Sequence, residues 1–208
     1  MLGGSNGAAA TWNQLAIVLE STGKFQEAEG YYRKAIEADR KVGNAKDIAR
    51  ALSNLADLLQ TQEDDRLSEA RQLAEEALGM MMTIDPAAAQ IWLTYNILAK
   101  IAIKQGDQPT ARDYRRQSRQ SYAAFAGSRH ELQKHEDFIQ CVMIALQDSS
   151  QLPQLEEQLQ SRSANRWGDL VAAIQRILAG ERSEDEVSLD LDGIDSLIVG
   201  EVLRKLRS

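Results

Sequence analysis

Residues 12–39 read WNQLAIVLESTGKFQEAEGYYRKAIEAD, and their pattern decides the fold. Apolar residues recur every three or four positions on both sides of Gly23, which predicts two amphipathic helices. We expect Gly23 to end the first helix, because glycine adopts a positive φ at little cost. The sequence therefore predicts helices over residues 10–22 and 25–42 that fold back on each other as a hairpin.

The same pattern returns twice downstream. The leucines of the first helix are 40 and 43 residues apart, and the alanines of the second are 42 and 41 apart: Leu15, Leu55 and Leu98; Ala28, Ala70 and Ala111. Alanine at a helix crossing lets the two axes come within about 8–10 Å of each other. Internal repetition of this length predicts a solenoid, with repeats at residues 10–43, 46–84 and 86–125 and with Pro86 opening the third.

The composition changes near Gly127. Residues 1–127 hold 15 Lys/Arg and 16 Asp/Glu, whereas residues 128–208 hold 9 and 15. We predict a repeat domain over 10–126 and a divergent acidic region over 128–208, with helices at 129–147, 153–162, 165–179 and 194–206. These helices are expected to cap the repeat array, and the first two are open to interpretation as a degenerate fourth repeat.

The repeat pattern resembles the tetratricopeptide repeat family, whose signature positions match seven residues of the first repeat: Trp12, Leu15, Ala16, Leu19, Ala28, Tyr32 and Ala35. The long period is similar to the roughly 42-residue type of kinesin light chains and many bacterial repeat proteins. The resemblance covers residues 10–125 and is weakest in the third repeat, where Arg115 replaces an aromatic residue. It implies an all-α, right-handed solenoid of antiparallel helix pairs with a helical C-terminal cap.

The resemblance also implies a concave groove, lined by the first helix of each repeat, that binds a protein or peptide. The residues that flank the core leucines are predicted to face it: Asn13, Ile17, Glu20, Arg50, Asn54, Asp57, Asn96, Lys100 and Ile103. An asparagine amide both donates to and accepts from a peptide backbone. Asn54 is one position out of the register of Asn13 and Asn96. The family's clamp for C-terminal carboxylates is matched only at Asn54, so chaperone tails are not expected as ligands.

Four arginines share one face of a later helix, because they are spaced three, one and three residues apart: Arg112, Arg115, Arg116 and Arg119. Three interpretations are open. The arginines bind an acidic or phosphorylated partner, they dock the chain's own acidic segment between Glu181 and Asp195, or they form a solvated face.

Other chemistries have little support in the sequence. The net charge of −7 argues against nucleic-acid binding, which needs a basic face, and no apolar run reaches the roughly 18 residues of a membrane span. His130 and His135 are poorly spaced for a shared metal ion. Ser196 resembles a phosphopantetheine acceptor but suits the start of a helix better. We predict no catalytic residue, cofactor or metal, and the single cysteine, Cys141, favours a cytoplasmic location.

The sequence therefore predicts a non-enzymatic scaffold or adaptor for a protein partner. One alternative is the sensor repeat region of a larger bacterial signalling protein with an ATPase-like or protease-like effector. Another is a self-associating assembly factor, a homo-oligomer in which the final amphipathic helix fills the groove of a second copy.

Overall fold

The structure is a computed structural model that describes residues 3–62, 64–84, 90–125, 127–163, 167–188, 191 and 193–208. These residues contain helices and no strand, which confirms the predicted all-α class. The α-helices are α1 Gly3–Ser21, α2 Phe25–Val42, α3 Ala45–Gln62, α4 Leu67–Thr83, α5 Ile91–Lys104, α6 Gln108–Ala124, α7 Ser128–Gln133, α8 Glu136–Gln147, α9 Leu152–Ser163, α10 Gly168–Leu178, α11 Glu184–Val187 and α12 Gly193–Arg207. Short 3₁₀ helices precede α4 and α9, at Asp64–Arg66 and Ser149–Gln151.

Consecutive helices of the repeat region pack pairwise. Helix α1 packs on α2, and α3 packs on α4. The second helix of each pair also packs on the first helix of the next, α2 on α3 and α4 on α5. Helices α5 and α6 meet through Tyr95 and Tyr114, whose ring centroids are 6.2 Å apart. This arrangement is that of the predicted solenoid of helix pairs.

The turn inside the first pair is built around Gly23, which has a φ of +76°. Its amide donates to the Glu20 carbonyl at 3.0 Å, and the Lys24 amide donates to the Leu19 carbonyl at 2.9 Å. These two bonds satisfy the last carbonyls of α1, and a side chain at this φ would be strained. Gly106 repeats the conformation, with a φ of +78°, and the end of the first helix predicted at Gly23 is confirmed.

Small residues fill the helix crossings. Ala28, Ala70 and Ala111 each have no exposed surface, and they occupy equivalent positions in α2, α4 and α6. Ala35 and Ala77 are buried in the same way. Because interiors are close-packed, a larger side chain at these positions would force the paired helices apart.

The first helix differs from the prediction at two points. It begins at Gly3 rather than at residue 10. Leu15 was expected in the core with Leu55 and Leu98, yet it is 37% exposed, whereas those two leucines are at most 1% exposed. The reason is that α3 and α5 each have a preceding helix pair packed on them, and α1 has none among the described residues. Pro86, predicted to open the third repeat, lies outside the described residues.

The chain divides into two compact units, Met1–Gln117 and Ser118–Ser208. The division falls within α6, before the change of composition near Gly127. In the second unit, α12 packs on α7, α8, α10 and α11, and α9 packs on α8 and α10. These helices surround a core of their own, which includes Phe138, Ile174 and Val202.

The single helix predicted over residues 129–147 is wrong, because the structure has two helices, α7 and α8. The amide of Lys134 donates to the Glu131 carbonyl and that of His135 to the Leu132 carbonyl, so the end of α7 tightens into a turn. Glu136 and Asp137 then supply acidic residues to the first turn of α8, where the helix dipole favours them. The one-turn helix α11 was likewise not predicted.

Candidate functional site

Helix α1 contacts α3, and α3 contacts α5. The three helices together form one exposed surface. Ile17, Asp57 and Lys100 hold equivalent positions on it, since 40 and 43 residues separate them, as they do the core leucines. All three side chains are partly exposed, by 41%, 38% and 45%. The Lys100 ammonium lies 4.0 Å from a carboxylate oxygen of Asp57. We call the surface formed by these residues with Arg50 and Ile103 the first-helix face.

The row of residues beside this face is buried. Asn13 is 3% exposed, Ser53 5% and Asn96 6%, and the three are equivalent positions of α1, α3 and α5. Asn13 and Asn96 were predicted to face the groove, and the structure corrects this prediction. Their side chains lie where neighbouring helices meet, Asn13 against Asn54 and Asn96 against Arg115.

The buried row holds polar contacts between repeats. The Asn54 amide donates to the Asn13 side-chain oxygen at 3.4 Å, and the hydroxyls of Ser53 and Thr94 are 2.9 Å apart. The one-residue offset of Asn54, predicted from the spacing, is what places its amide against Asn13. Such contacts in a low-dielectric interior fix the register of one helix against the next.

Arg115 belongs to the same set of contacts. It is 7% exposed and donates from Nη1 to the Asn96 side-chain oxygen at 3.4 Å. Tyr32 holds the equivalent position in the first repeat and donates its hydroxyl to Glu20 at 2.8 Å. The arginine that departs from the family pattern therefore keeps the role of a side-chain donor to the first helix of its own pair.

Two carboxylates lie close together where α1 and α3 meet. Burial raises the pKa of Glu20 above its ordinary value, the nearby charge of Asp57 adds to the rise, and the Tyr32 hydroxyl opposes it. Asp57 also accepts a hydrogen bond from the Gln60 amide at 2.9 Å. A nearby positive charge stabilises the ionised form of both carboxylates. This part of the first-helix face therefore suits a cationic group.

The α5 side of the face is basic. Lys100 is half exposed, and Lys104 donates to the backbone carbonyl of Gln60. On α3, Arg50 pairs with Asp47 at 2.7 Å. The first-helix face therefore carries carboxylates toward α1 and ammonium groups toward α5.

Three apolar side chains complete the surface. Ile17, Leu93 and Ile103 are 41%, 49% and 37% exposed. Leu93 was not among the predicted site residues. It holds the position of Arg50 in the next first helix, 43 residues on, so the repeat spacing was the signal that would have found it.

The four arginines do not all form a solvated face. Arg115 is buried, as described, and Arg116 pairs with Asp113 at 2.5 Å. Arg119 is 8% exposed and donates to Asp185 in the acidic segment. The interpretation that the arginines dock the chain's own acidic segment is therefore correct for Arg119.

The other sites considered from the sequence were a prosthetic-group acceptor at Ser196, a metal site and a membrane span. Ser196 is 3% exposed and donates its hydroxyl to the Gly193 carbonyl at 2.8 Å, so it is not placed as an acceptor for a prosthetic group. Within the described ranges, no three His, Cys, Asp or Glu residues cluster as metal ligands. No helix in the described part of the chain is long and apolar enough to cross a membrane.

Residues 7–82 match the family model of the tetratricopeptide repeat. The match spans α1 to α4, the first two helix pairs, and supports assignment of this region to the tetratricopeptide repeat family. Repeats of this family generally mediate protein–protein interaction, and the fold is typically non-enzymatic. No curated protein matches the chain in sequence.

Proposed function

We propose that this chain is a scaffold that binds an extended segment of a partner protein along the first-helix face. The observation that carries the proposal is the exposure of Ile17, Asp57 and Lys100 at one position of three adjacent helices. The neighbouring row, from Asn13 to Asn96, is buried. A continuous exposed row that crosses several repeats suits a ligand that contacts each repeat in turn.

The chemistry of the face defines the kind of segment. Glu20 and Asp57 favour a basic residue where α1 and α3 meet, and Lys100 favours an acidic residue near α5. Ile17 and Ile103 offer apolar contacts between and beside these charges. We infer a ligand with apolar residues and separated charges of opposite sign, because complementary charges fix the direction and register of binding.

A second proposal keeps the same face and changes its context. The second unit has a core of its own, which supports a sensor repeat region within a larger bacterial signalling protein. Both proposals suit a reducing compartment such as the cytoplasm, since Cys141 has no second cysteine in the chain to pair with.

The proposal is tested with peptides selected from a random display library on the purified chain. Asp57→Lys and Lys100→Glu are each expected to weaken the selected peptides by about 10-fold in calorimetry, because each reverses a charge on the face. Gln72→Lys, at an exposed position of α4, is the matched control and should leave the affinity unchanged. Failure to enrich any peptide, or equal affinity for all four proteins, would contradict the proposal.

A further inference from the structure

One core position of the repeat holds a carboxyl group in the first helix pair. Asp39 of α2 is 3% exposed. The equivalent residue of α4, 42 residues further on, is Met81, which packs in a hydrophobic cluster with Ala49, Ile91 and Tyr95. A position that the second repeat fills with an apolar side chain is therefore filled in the first by a group that is costly to bury as an anion.

The surroundings of Asp39 do not favour its charged form. Its Oδ1 atom is buried and accepts no hydrogen bond from the described residues. Asp39 also lies in the last turn of α2, which ends at Val42, and the partial negative charge at the C-terminus of a helix disfavours an anion. Neither a hydrogen bond to Oδ1 nor the helix dipole compensates for the loss of water around this carboxylate.

The charged groups nearest to Asp39 along the packed helices are exposed or already paired. They are Lys46, which is exposed on α3, the Asp47–Arg50 pair of α3 at 2.7 Å, the Arg40–Glu76 pair between α2 and α4 at 2.6 Å, and the Glu37–Lys41 pair of α2 at 2.7 Å. Within Gly3–Ser21 the single charged residue is Glu20. It accepts the hydroxyl of Tyr32, which is seven residues, or about two turns, from Asp39.

Proton uptake is the remaining way to stabilise a buried carboxyl in this position. Burial raises the pKa of Asp39 above its ordinary 3.8, the charge of Asp47 adds to the rise, and the charge of Arg50 opposes it. Arg50 opposes it only in part, because its guanidinium is paired with Asp47 and its side chain is 48% exposed.

We propose that Asp39 makes the contact between α2 and α3 sensitive to pH. The carboxyl group holds a proton while the two helices are packed, and it releases the proton to solvent as the pH rises, which loosens their contact. Asp39 and Asp47 lie four residues before and four residues after Gly43, in the turn that joins α2 to α3. Negative charges on both carboxylates repel each other across this turn. Because α2 belongs to the first helix pair and α3 to the second, the effect acts on the connection between two repeats.

Deprotonation of Asp39 lowers stability as the pH rises. A carboxyl group whose pKa is higher in the folded chain than in the unfolded chain binds more protons when folded. Its stabilising contribution is complete below about pH 3.8 and is lost as the pH rises through the folded-state pKa. The predicted direction is opposite to that of a carboxylate in an ion pair, whose pKa is lowered by folding, so the two kinds of group can be told apart by experiment.

Urea denaturation of the wild type and of Asp39→Asn, from about pH 3 to about pH 8, tests the proposal. Asparagine has nearly the shape of the carboxyl group and does not ionise. The ratio of the unfolding equilibrium constant of the wild type to that of the variant should rise at least about 5-fold from the acidic to the neutral end, because a buried group without a partner costs about 1–3 kcal/mol. Asp39→Met, which introduces the residue type found at the equivalent position of α4, should give a rise of the same size.

Glu37→Gln, two residues away on the exposed side of α2, is the matched control. Lys41 lowers the pKa of Glu37, so the wild type should gain stability relative to this variant as the pH rises, the opposite of the trend expected for Asp39→Asn.

Hydrogen exchange then locates the effect. The amides of Asn44 and Ile48, which donate to the carbonyls of Asp39 and Asn44, should be less protected in the wild type than in Asp39→Asn at the same neutral pH. Amides within α4 should differ less. A ratio of unfolding constants that does not change with pH for either Asp39 variant would overturn the proposal. So would a loss of protection that is equal in α4 and at the turn between α2 and α3.

Discussion

At the scale of single residues, burial decides which polar groups support the fold and which remain for binding. Asn96 lies in the buried row with its side-chain oxygen against Arg115, whereas Lys100, one turn further along α5, is half exposed. A helical residue and its neighbour four positions on share a face, yet these two differ in depth. Fold stability and ligand binding should therefore respond to different substitutions on the same helix.

Asn96→Ala should lower the free energy of unfolding by about 2 kcal/mol. It removes a buried acceptor from a charged donor, and hydrogen bonds to charged groups contribute about 1.5–3 kcal/mol. Urea denaturation followed by circular dichroism measures the change. Asn96→Asp keeps the acceptor and should lose less, while Gln72→Ala on the exposed surface of α4 should change the stability by less than about 0.5 kcal/mol. An Asn96→Ala variant as stable as wild type would mean that the contact contributes nothing.

The sequence predicted individual core residues better than it predicted the residues of the candidate site. Ala28 was placed correctly because alanine recurs at its position in each repeat, and Tyr32 because it matches a signature position of the family that the repeat resembles. The burial of Asn13 and Asn96 was missed, because spacing predicts which side of a helix a residue occupies and not how closely the next helix approaches that side. The exposure of Leu15 was missed for the converse reason, since no helix pair among the described residues packs on that side of α1.

At the scale of helices, charged side chains connect α2 to α4. Glu29 of α2 accepts from Arg66 at 2.7 and 2.9 Å and from Arg33 at 2.8 Å. Arg33 also donates to Glu69 of α4 at 2.6 Å. The Arg66 hydrogen bonds lower the pKa of Glu29 from its ordinary 4.5 to about 2, against the opposing effect of burial. Glu29 is therefore ionised in the folded chain at a pH where it is protonated in the unfolded chain.

This network predicts a pH dependence. A folded-state pKa below the unfolded value stabilises the native state above about pH 4.5, and the stabilisation is lost as the pH falls through about 2. Glu29→Gln should lower the free energy of unfolding by about 1 kcal/mol at neutral pH, a modest figure because the arginine partners are partly exposed. The difference from wild type should shrink toward about pH 2, as measured by urea denaturation at a series of pH values.

The matched control for this series is Glu37→Gln, since Glu37 pairs with Lys41 within α2 and does not reach α4. Its effect should be smaller at every pH. A Glu29→Gln variant whose difference from wild type is the same at acidic and neutral pH would show that the network is not the source of the dependence.

The crossing of α1 and α2 gives an independent prediction. Ala28→Phe should destabilise the first pair by about 1–3 kcal/mol through overpacking, because Ala28 has no exposed surface. Gly30→Ala, two residues along the same helix, has open space around an added Cβ and should stabilise the chain by about 0.5–1 kcal/mol. Thermal melts of the two variants should shift in opposite directions. A shift in the same direction would contradict the packing described here.

The helices themselves were largely predictable from the sequence. The range predicted for α2 matches the structure, because an apolar stripe, a glycine before it and a glycine after it all agree. The break between α7 and α8 was not predictable from periodicity, since Leu132 and Ile139, seven residues apart, keep helical spacing across it. The local hydrogen bonds at Lys134 and His135 make the break.

At the scale of the whole molecule, the chain consists of a repeat unit and a helical unit that has a hydrophobic core of its own. The sequence signalled two regions through charge and the fading repeat, and it placed the change near Gly127. The structural division after Gln117 lies inside α6. Composition could not locate it, because α6 keeps helical periodicity on both sides of the division.

The central claim is that a partner segment binds along the first-helix face, and photo-crosslinking tests it most directly. A benzophenone amino acid is placed at Ile17, Asp57 or Lys100, and for comparison at Glu37 or Gln72, which are exposed on α2 and α4. Each protein is irradiated with a peptide selected on the wild-type chain from a random library. If the segment binds there, the first three positions should crosslink in order along the peptide, and the other two should not crosslink. Crosslinks from Glu37 or Gln72 alone, or equally from all five positions, would contradict it.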